Sequence, residues 1–386
     1  MVSLLRRRVK GEHARVGFVE LFFDLVFVFA ITQISHLLIR HPTLLGALQA
    51  LMLLAAVWWS WNYTSWVTNW LDVERTPVRT ALFVIMAAGL MMSIALPEAF
   101  GEKGLVFAVA FVAIQVGRAL FMLWAARSDT VLAANFQRIL IWAVLSGVFW
   151  IGGGLAEPEH RLIWWIGALA VEYAGPVSGY RTPGLGRAST SDWTVEGAHL
   201  AERVGLFVII CLGETLLITG ATFAELPWRA ATIAAFGSSF LTTIAMWLLY
   251  FGRKHEAASE VIAHARDAGA IARRAYTYAP IVLIAGIVVS AVGDEFVLAH
   301  PLGHGEPHMV AAILGGPGIF LFGSSLAAYS VWGRWSVDRL AGCGLLVLLS
   351  VASLAGVAPL SPLQLSLIST AVLLAVTLWE GMRGRR

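Results

Sequence analysis

The sequence predicts an all-α integral membrane protein of twelve transmembrane helices in two parallel six-helix repeats. Three observations lead there: a composition too apolar for a soluble domain, a succession of apolar runs of spanning length, and an alternation of Lys and Arg along the chain. Hydrophobic residues make up 58% and charged residues 13%, against about a quarter charged in an ordinary soluble domain. Mean hydropathy is +0.76. A helix needs roughly 20 apolar residues to cross a bilayer, and 386 residues hold many such segments with little left for a soluble domain.

Taken in order, the apolar runs fall near 17–38, 44–70, 78–96, 104–126, 136–155, 162–177, 204–220, 228–251, 272–291, 309–331, 339–357 and 362–379. The sixth is short and ends against Pro176. Turn or charge signals separate the others: His41-Pro42, Pro97-Glu98, Asp129, Pro158, Pro227, Gly303-His304-Gly305 and Pro359. The organisation expected is a cytoplasmic basic arm over 1–16, a first six-helix repeat over 17–180, a cytoplasmic linker over 181–200 and a second repeat over 201–386. No small-residue cleavage site follows the first apolar stretch, so the arm reads as retained and not as part of a removed signal.

Lys and Arg set the orientation. With the N-terminus inside, the outer side keeps only Arg40, Lys103, Arg161 and Arg229 of the 27, and Arg118 lies within a span. All the others fall on the cytoplasmic side, the asymmetry of the positive-inside rule. The expected location is therefore the inner (cytoplasmic) membrane, with both termini cytoplasmic. The same distribution argues against a nucleic-acid surface, since no basic patch gathers. Trp150, Trp164, Trp165 and Trp228 fall at outer ends, and Trp70, Trp124, Trp332, Trp335 and Trp379 at inner ends, as in an aromatic belt. Cys211 and Cys343 lie inside apolar runs and read as core residues, and no metal-type Cys spacing exists. No cofactor or metal is expected. His300, His304 and His308 share an outer loop rich in Gly and Pro and read as solvated.

The candidate site residues are polar side chains inside spans. Glu20 and Asp24 sit one helical turn apart on one face of span one, where a carboxylate costs up to about 2.5–3.5 kcal/mol on the insertion scale. They either bind a cation or proton or make a structural ion pair, with Arg79, Arg15 or Arg118 as partner. Span two carries a polar stripe through Trp58, Asn62, Ser65, Asn69 and Asp72, which lines a conduit or supplies interhelical hydrogen bonds of about 0.6 kcal/mol each. Span seven places Arg203 and Glu214 on one face, with Glu214 near mid-membrane, and span six carries Glu172 just before Gly175-Pro176. Arg118 could neutralise either carboxylate. His199 reads as a cap or interface residue.

The halves also match in order. Arg15-Val16-Gly17 recurs as Arg203-Val204-Gly205, Phe22-Phe23-Asp24-Leu25 corresponds to Leu212-Gly213-Glu214-Thr215, and Trp58 corresponds to Trp247. Arg79, Glu98 and Arg138 correspond to Arg273, Glu295 and Arg339, the separation widening from 188 residues at Arg15 to 201 at Arg138. Six spans per half give both repeats the same orientation.

The run Glu20-Leu-Phe-Phe-Asp-Leu-Val-Phe-Val-Phe-Ala-Ile-Thr-Gln33, followed by His36, carries a family resemblance together with His199-Leu-Ala-Glu-Arg-Val-Gly-Leu-Phe-Val-Ile-Ile-Cys-Leu-Gly-Glu214. On these motifs the chain resembles the bacterial low temperature requirement protein A (LtrA) family. The resemblance implies a multi-pass membrane protein and specifies no substrate. A weaker likeness, through Phe22, Asp24, Val26, Phe27 and Ala30-Ile31-Thr32, is to the first helix of two-repeat potassium channels, from which Phe23 departs where those have serine.

The function expected is a transporter or channel-like protein for an ion or small solute, its partners being the lipid bilayer and that solute. The alternatives are a structural or regulatory membrane protein of cold adaptation and a membrane-embedded lipid-modifying enzyme. No protease, phosphate-loop or dinucleotide signature is present.

Overall fold

A computed structural model describes residues 3–6, 16–189, 196–252, 268–357 and 359–383. Arg15, named above as a possible ion-pair partner, lies outside them. Among the described residues the chain folds into twelve long helices with no strand. These are α1 (Phe18–Arg40), α2 (Leu44–Trp70), α3 (Thr76–Ala95), α4 (Gly104–Ala125), α5 (Thr130–Leu155), α6 (Pro158–Val177), α7 (Gly197–Glu225), α8 (Ala230–Phe251), α9 (Ala279–Ala299), α10 (Pro307–Trp332), α11 (Val337–Leu354) and α12 (Pro362–Arg383). A short helix (Ala268–Arg273) and a π-helical turn (Arg274–Tyr278) lead into α9. Every apolar run read from the sequence is a helix, so the all-α class is the one expected.

Eleven of these helices are long and apolar enough to cross a membrane. The exception is α6, the short sixth run, which carries Glu159, Arg161 and Glu172 over its 20 residues. Its buried Arg161 donates to four backbone carbonyls: Gly153 (3.0 Å) and Ala156 (3.1 Å) at the end of α5, and Ala99 (3.0 Å) and Gly101 (2.6 Å) in the α3–α4 turn. Carbonyls at a helix end have no intrahelical donor, and a guanidinium there also complements the helix dipole.

Two boundaries differ from the apolar reading for a physical reason. α5 starts at Thr130, not near 136, because Asp129 caps it by accepting from the Leu132 amide at 3.0 Å. α7 starts at Gly197, not near 204, because His199 and Arg203 are fully buried among acidic partners. Hydropathy sees their polarity and not their pairing.

The helices show the inverted amphipathicity of a membrane protein. On α1, Phe22, Leu25 and Phe29 are exposed while Glu20 and Asp24 are buried. On α5, Val144, Leu145 and Val148 are exposed and Ser146 is buried.

Packing divides the chain into two compact units. The first contains α1 up to Leu37, α2 to α6, and α7 to Arg203; the second contains α7 from Val204, α8, and α9 to α12. In the first, residues Leu4 to Arg6 run antiparallel to the end of α2, with Arg6 N donating to Trp70 O (2.8 Å) and Asp72 N to Leu4 O (2.9 Å). Within this unit α3, α4, α5 and α6 pack as consecutive neighbours.

In the second unit α9 and α10 form the most intimate pair, and glycine permits it. A Cβ built on Gly286 would stand 2.4 Å from Phe320 N, and one on Gly316 would stand 2.5 Å from Ser290 N. Backbones approach this closely only where side chains are absent, the small-residue rule of membrane helix pairs. Arg339 on α11 fastens the far side. It makes a bidentate pair with Glu380 on α12 (3.0 and 3.0 Å) and donates to Ser324 O (3.2 Å) and Leu249 O (2.9 Å).

Gly316→Ala should lower the unfolding midpoint of the detergent-purified protein, because overpacking costs about 1–3 kcal/mol. Gly315→Ala, whose new methyl meets nothing within 4 Å, should be neutral or slightly stabilising, since alanine gains roughly 0.5–1 kcal/mol over glycine in a helix. Equal midpoints for the two variants would contradict glycine-mediated contact.

Candidate functional site: two polar clusters in the first unit

Local geometry places four of the expected residues in one ion-pair network. Glu20 and Asp24 are successive turns of α1, and Arg203 lies on the first turns of α7; all three are fully buried. Arg203 Nη1 donates to Glu20 Oε1 at 2.8 Å and Nη2 to Asp24 Oδ1 at 2.5 Å. The planar fork of a guanidinium suits this division between two carboxylates. The rings of Phe23 and Trp61 flank it, with centroids 5.8 and 5.7 Å from Cζ. Trp61 Nε1 adds a 2.7 Å hydrogen bond to Asp24 Oδ1, and Gly17 N donates to Glu20 Oε2 at 2.9 Å. Arg6 stands 4.0 Å from Glu20 Oε2.

The fourth residue, Asn69, fixes the tautomer of His199. Its Oδ1 accepts from Glu196 N (3.0 Å) and its Nδ2 donates to Glu196 O (3.0 Å), which settles the amide orientation. Nδ2 therefore also faces His199 Nδ1 (3.3 Å) as a donor. With Nδ1 accepting, the proton sits on Nε2, which donates to Glu20 (3.2 Å). His199 thus donates to a carboxylate and holds it in place.

This corrects the choice of partner for Glu20 and Asp24. Arg79 is exposed on α3 and Arg118 belongs elsewhere; the cation is Arg203. Of the two readings of the α1 carboxylates, the geometry supports the structural one, because both are already satisfied by a buried cation. Asp24 Oδ2 and Arg203 Nε remain without a partner among the described residues.

A second cluster joins α2, α4, α5 and α6. Glu172 Oε2 accepts from Trp59 Nε1 (2.5 Å) and Gln115 Nε2 (3.4 Å), and Oε1 from Ser146 Oγ (2.5 Å). Arg118 does not pair with it directly. Its Nη2 donates to Gln115 Oε1, while Nη1 reaches Ser60 O and Thr64 Oγ1, both at 3.2 Å. Gln115 therefore bridges the cation and the carboxylate. Aromatic rings wall the cluster: Trp59 stacks on Tyr173 at 4.1 Å, Arg118 lies 5.2 Å from the Tyr63 ring centre, and the Tyr63 and Tyr180 hydroxyls are hydrogen-bonded. Pro176, four residues beyond Glu172, has no N–H, so the Glu172 carbonyl lacks its usual helical donor.

The α2 stripe divides between these roles. Ser65 Oγ bonds back to Trp61 O at 3.1 Å, spending its hydroxyl on its own helix. Asn62 is buried, Asn69 orients His199, and the partly exposed Asp72 pairs with Arg75 (3.0 Å). Glu214 is half-buried on the part of α7 that belongs to the second unit. It joins neither cluster, and neither does Arg79.

The sequence reading missed Trp59, Trp61, Gln115 and Ser146. The signal for the tryptophans was position: both lie in mid-span, where an aromatic belt does not explain them. Nothing in the linear chain singled out Gln115 or Ser146, whose value comes from which helix they face.

Spanning helices around buried, partnered charges define a multi-pass membrane protein with a polar interior. The match to the family model for bacterial low temperature requirement A protein (LtrA) covers residues 15–378, and the chain belongs to that family. It is also 43% identical over 325 residues to an uncharacterized protein of Rhizobium meliloti (strain 1021), covering 82% of this chain and 78% of the relative.

Arg203→Met should destabilise the protein by about 3–5 kcal/mol, because two carboxylates then stay buried without their cation. Asp24→Asn should cost less, and the double variant should lose less than the sum by more than about 0.5 kcal/mol. Chemical unfolding in detergent measures all three; additive losses would exclude the ion pair.

Proposed function

We propose that this protein is a transporter or channel-like protein that moves an ion or small solute across the cytoplasmic membrane. Glu172 is the observation that carries the reading. Among the described residues it is a carboxylate at membrane depth held by neutral donors, with its nearest cation one glutamine away. Intramembrane carboxylates mark ion or substrate pathways where they are not consumed by ion pairing. Glu20 and Asp24 are consumed in this way, and they build the scaffold.

In this reading both termini are cytoplasmic, as the Lys and Arg distribution argues. The two halves descend from one six-helix unit, as the ordered matches argue. The protein acts by moving its solute and not by catalysis.

The test is flux in proteoliposomes screened against a broad set of ions and small solutes. Glu172→Gln should lower the flux found for wild type at least about tenfold, a loss of ~1.4 kcal/mol of barrier lowering, with expression and unfolding midpoint retained. Wild-type flux in that variant, or no flux above protein-free liposomes for any solute, would overturn the proposal.

A further inference from the structure

The second unit contains a small, partly enclosed cavity that the first unit's clusters do not share. Thr242 on α8, Ser290 and Asp294 on α9, Ile313 and Pro317 on α10, and Ser366 and Ser369 on α12 line it. Its volume of about 10 Å³ is room for one water-sized sphere. These residues lie one to three turns from the end of the unit where α9 stops and α10 begins.

The lining sets one carboxylate and four hydroxyl side chains beside the apolar Ile313 and Pro317. Asp294 is buried, and it forms no ion pair with any described residue. Its neighbour Glu295 is occupied elsewhere, accepting from Thr222 Oγ1 at 2.7 Å. Ser290 and Ser369 are 5% and 2% exposed, and neither hydroxyl has a protein partner among the described residues. Pro317 removes the amide that would bond the Ile313 carbonyl, four residues back. Behind the cavity, Ser238 bonds Ser366 (2.7 Å) and Thr370 (2.9 Å), and Thr370 bonds Thr242 (2.7 Å), which fixes the hydroxyls of α8 and α12.

We propose that this cavity binds one small monovalent alkali cation, sodium being the reference case, with the Asp294 carboxylate and the Ser290 and Ser369 hydroxyls as ligands. One carboxylate neutralises one positive charge, whereas a divalent ion would leave the buried site with a net charge. Hydroxyl and carbonyl oxygens replace the hydration shell of a hard cation, and the space excludes an ion that keeps its water. The tight α9–α10 pair sets the site, because Gly316 lies directly against Ser290. The proposal does not rest on transport, since binding is read without flux.

The experiment uses the full-length protein in detergent, with sodium chloride, lithium chloride, potassium chloride and N-methylglucamine chloride at equal ionic strength. At least one alkali ion should raise the unfolding midpoint saturably over N-methylglucamine. Radioactive sodium should bind with a stoichiometry near one per chain. Asp294→Asn should abolish both effects. Ser369→Ala and Ser290→Ala, milder changes should Asp294→Asn fail to fold, should each weaken the half-saturating concentration severalfold. Identical midpoints in all four salts, or an undiminished sodium response in the serine variants, would overturn the site.

Discussion

The cost of placing charge in hydrocarbon governs the first unit. Glu20 and Asp24 sit on one face of α1, and like charges one turn apart already repel. The arrangement is tenable because Arg203 stands between them, with 2.8 and 2.5 Å contacts to each. Trp61, His199 and Gly17 supply further donors. Asn69 and the antiparallel segment before α1 are arranged around that pairing. The start of α7 is helical seven residues before its apolar run begins for the same reason.

The two polar clusters of this unit solve the same problem in different ways. Around Glu20 the negative charge meets a cation directly. Around Glu172 the carboxylate meets an indole, a hydroxyl and an amide, and the guanidinium of Arg118 is held by the other end of that amide. A group held by neutral donors can gain or lose a charged partner with smaller rearrangement than one locked in an ion pair. The second unit uses a third solution: glycines bring α9 and α10 into backbone contact, and hydroxyls tie α8 to α12.

Much of the fold was legible because a bilayer imposes a one-dimensional rule. Twenty apolar residues and an alternation of Arg read out spans directly, and all twelve runs are helices. The errors came where polarity was buried. The start of α7 was set too late because His199 and Arg203 look like loop residues until their partners are known. The sixth run reads as short and ending against Pro176, and two of its charges, Arg161 and Glu172, are buried and hydrogen-bonded. The pairings of the candidate residues were not legible. Arg203 was seen as the companion of Glu214 on its own helix, whereas it faces α1.

The sequence by itself determined that the chain lives in a membrane, that its apolar runs form helices and which family it belongs to. Those are properties of composition, segment length and local motif. The tertiary structure alone decided which carboxylate meets a cation, which meets neutral donors, and which faces a hydroxyl-lined cavity. The physical reason is range: spanning a bilayer is a local demand on about 20 consecutive residues. Satisfying a buried charge is a demand on side chains as far apart in sequence as Glu20 and Arg203, and only folding brings those together.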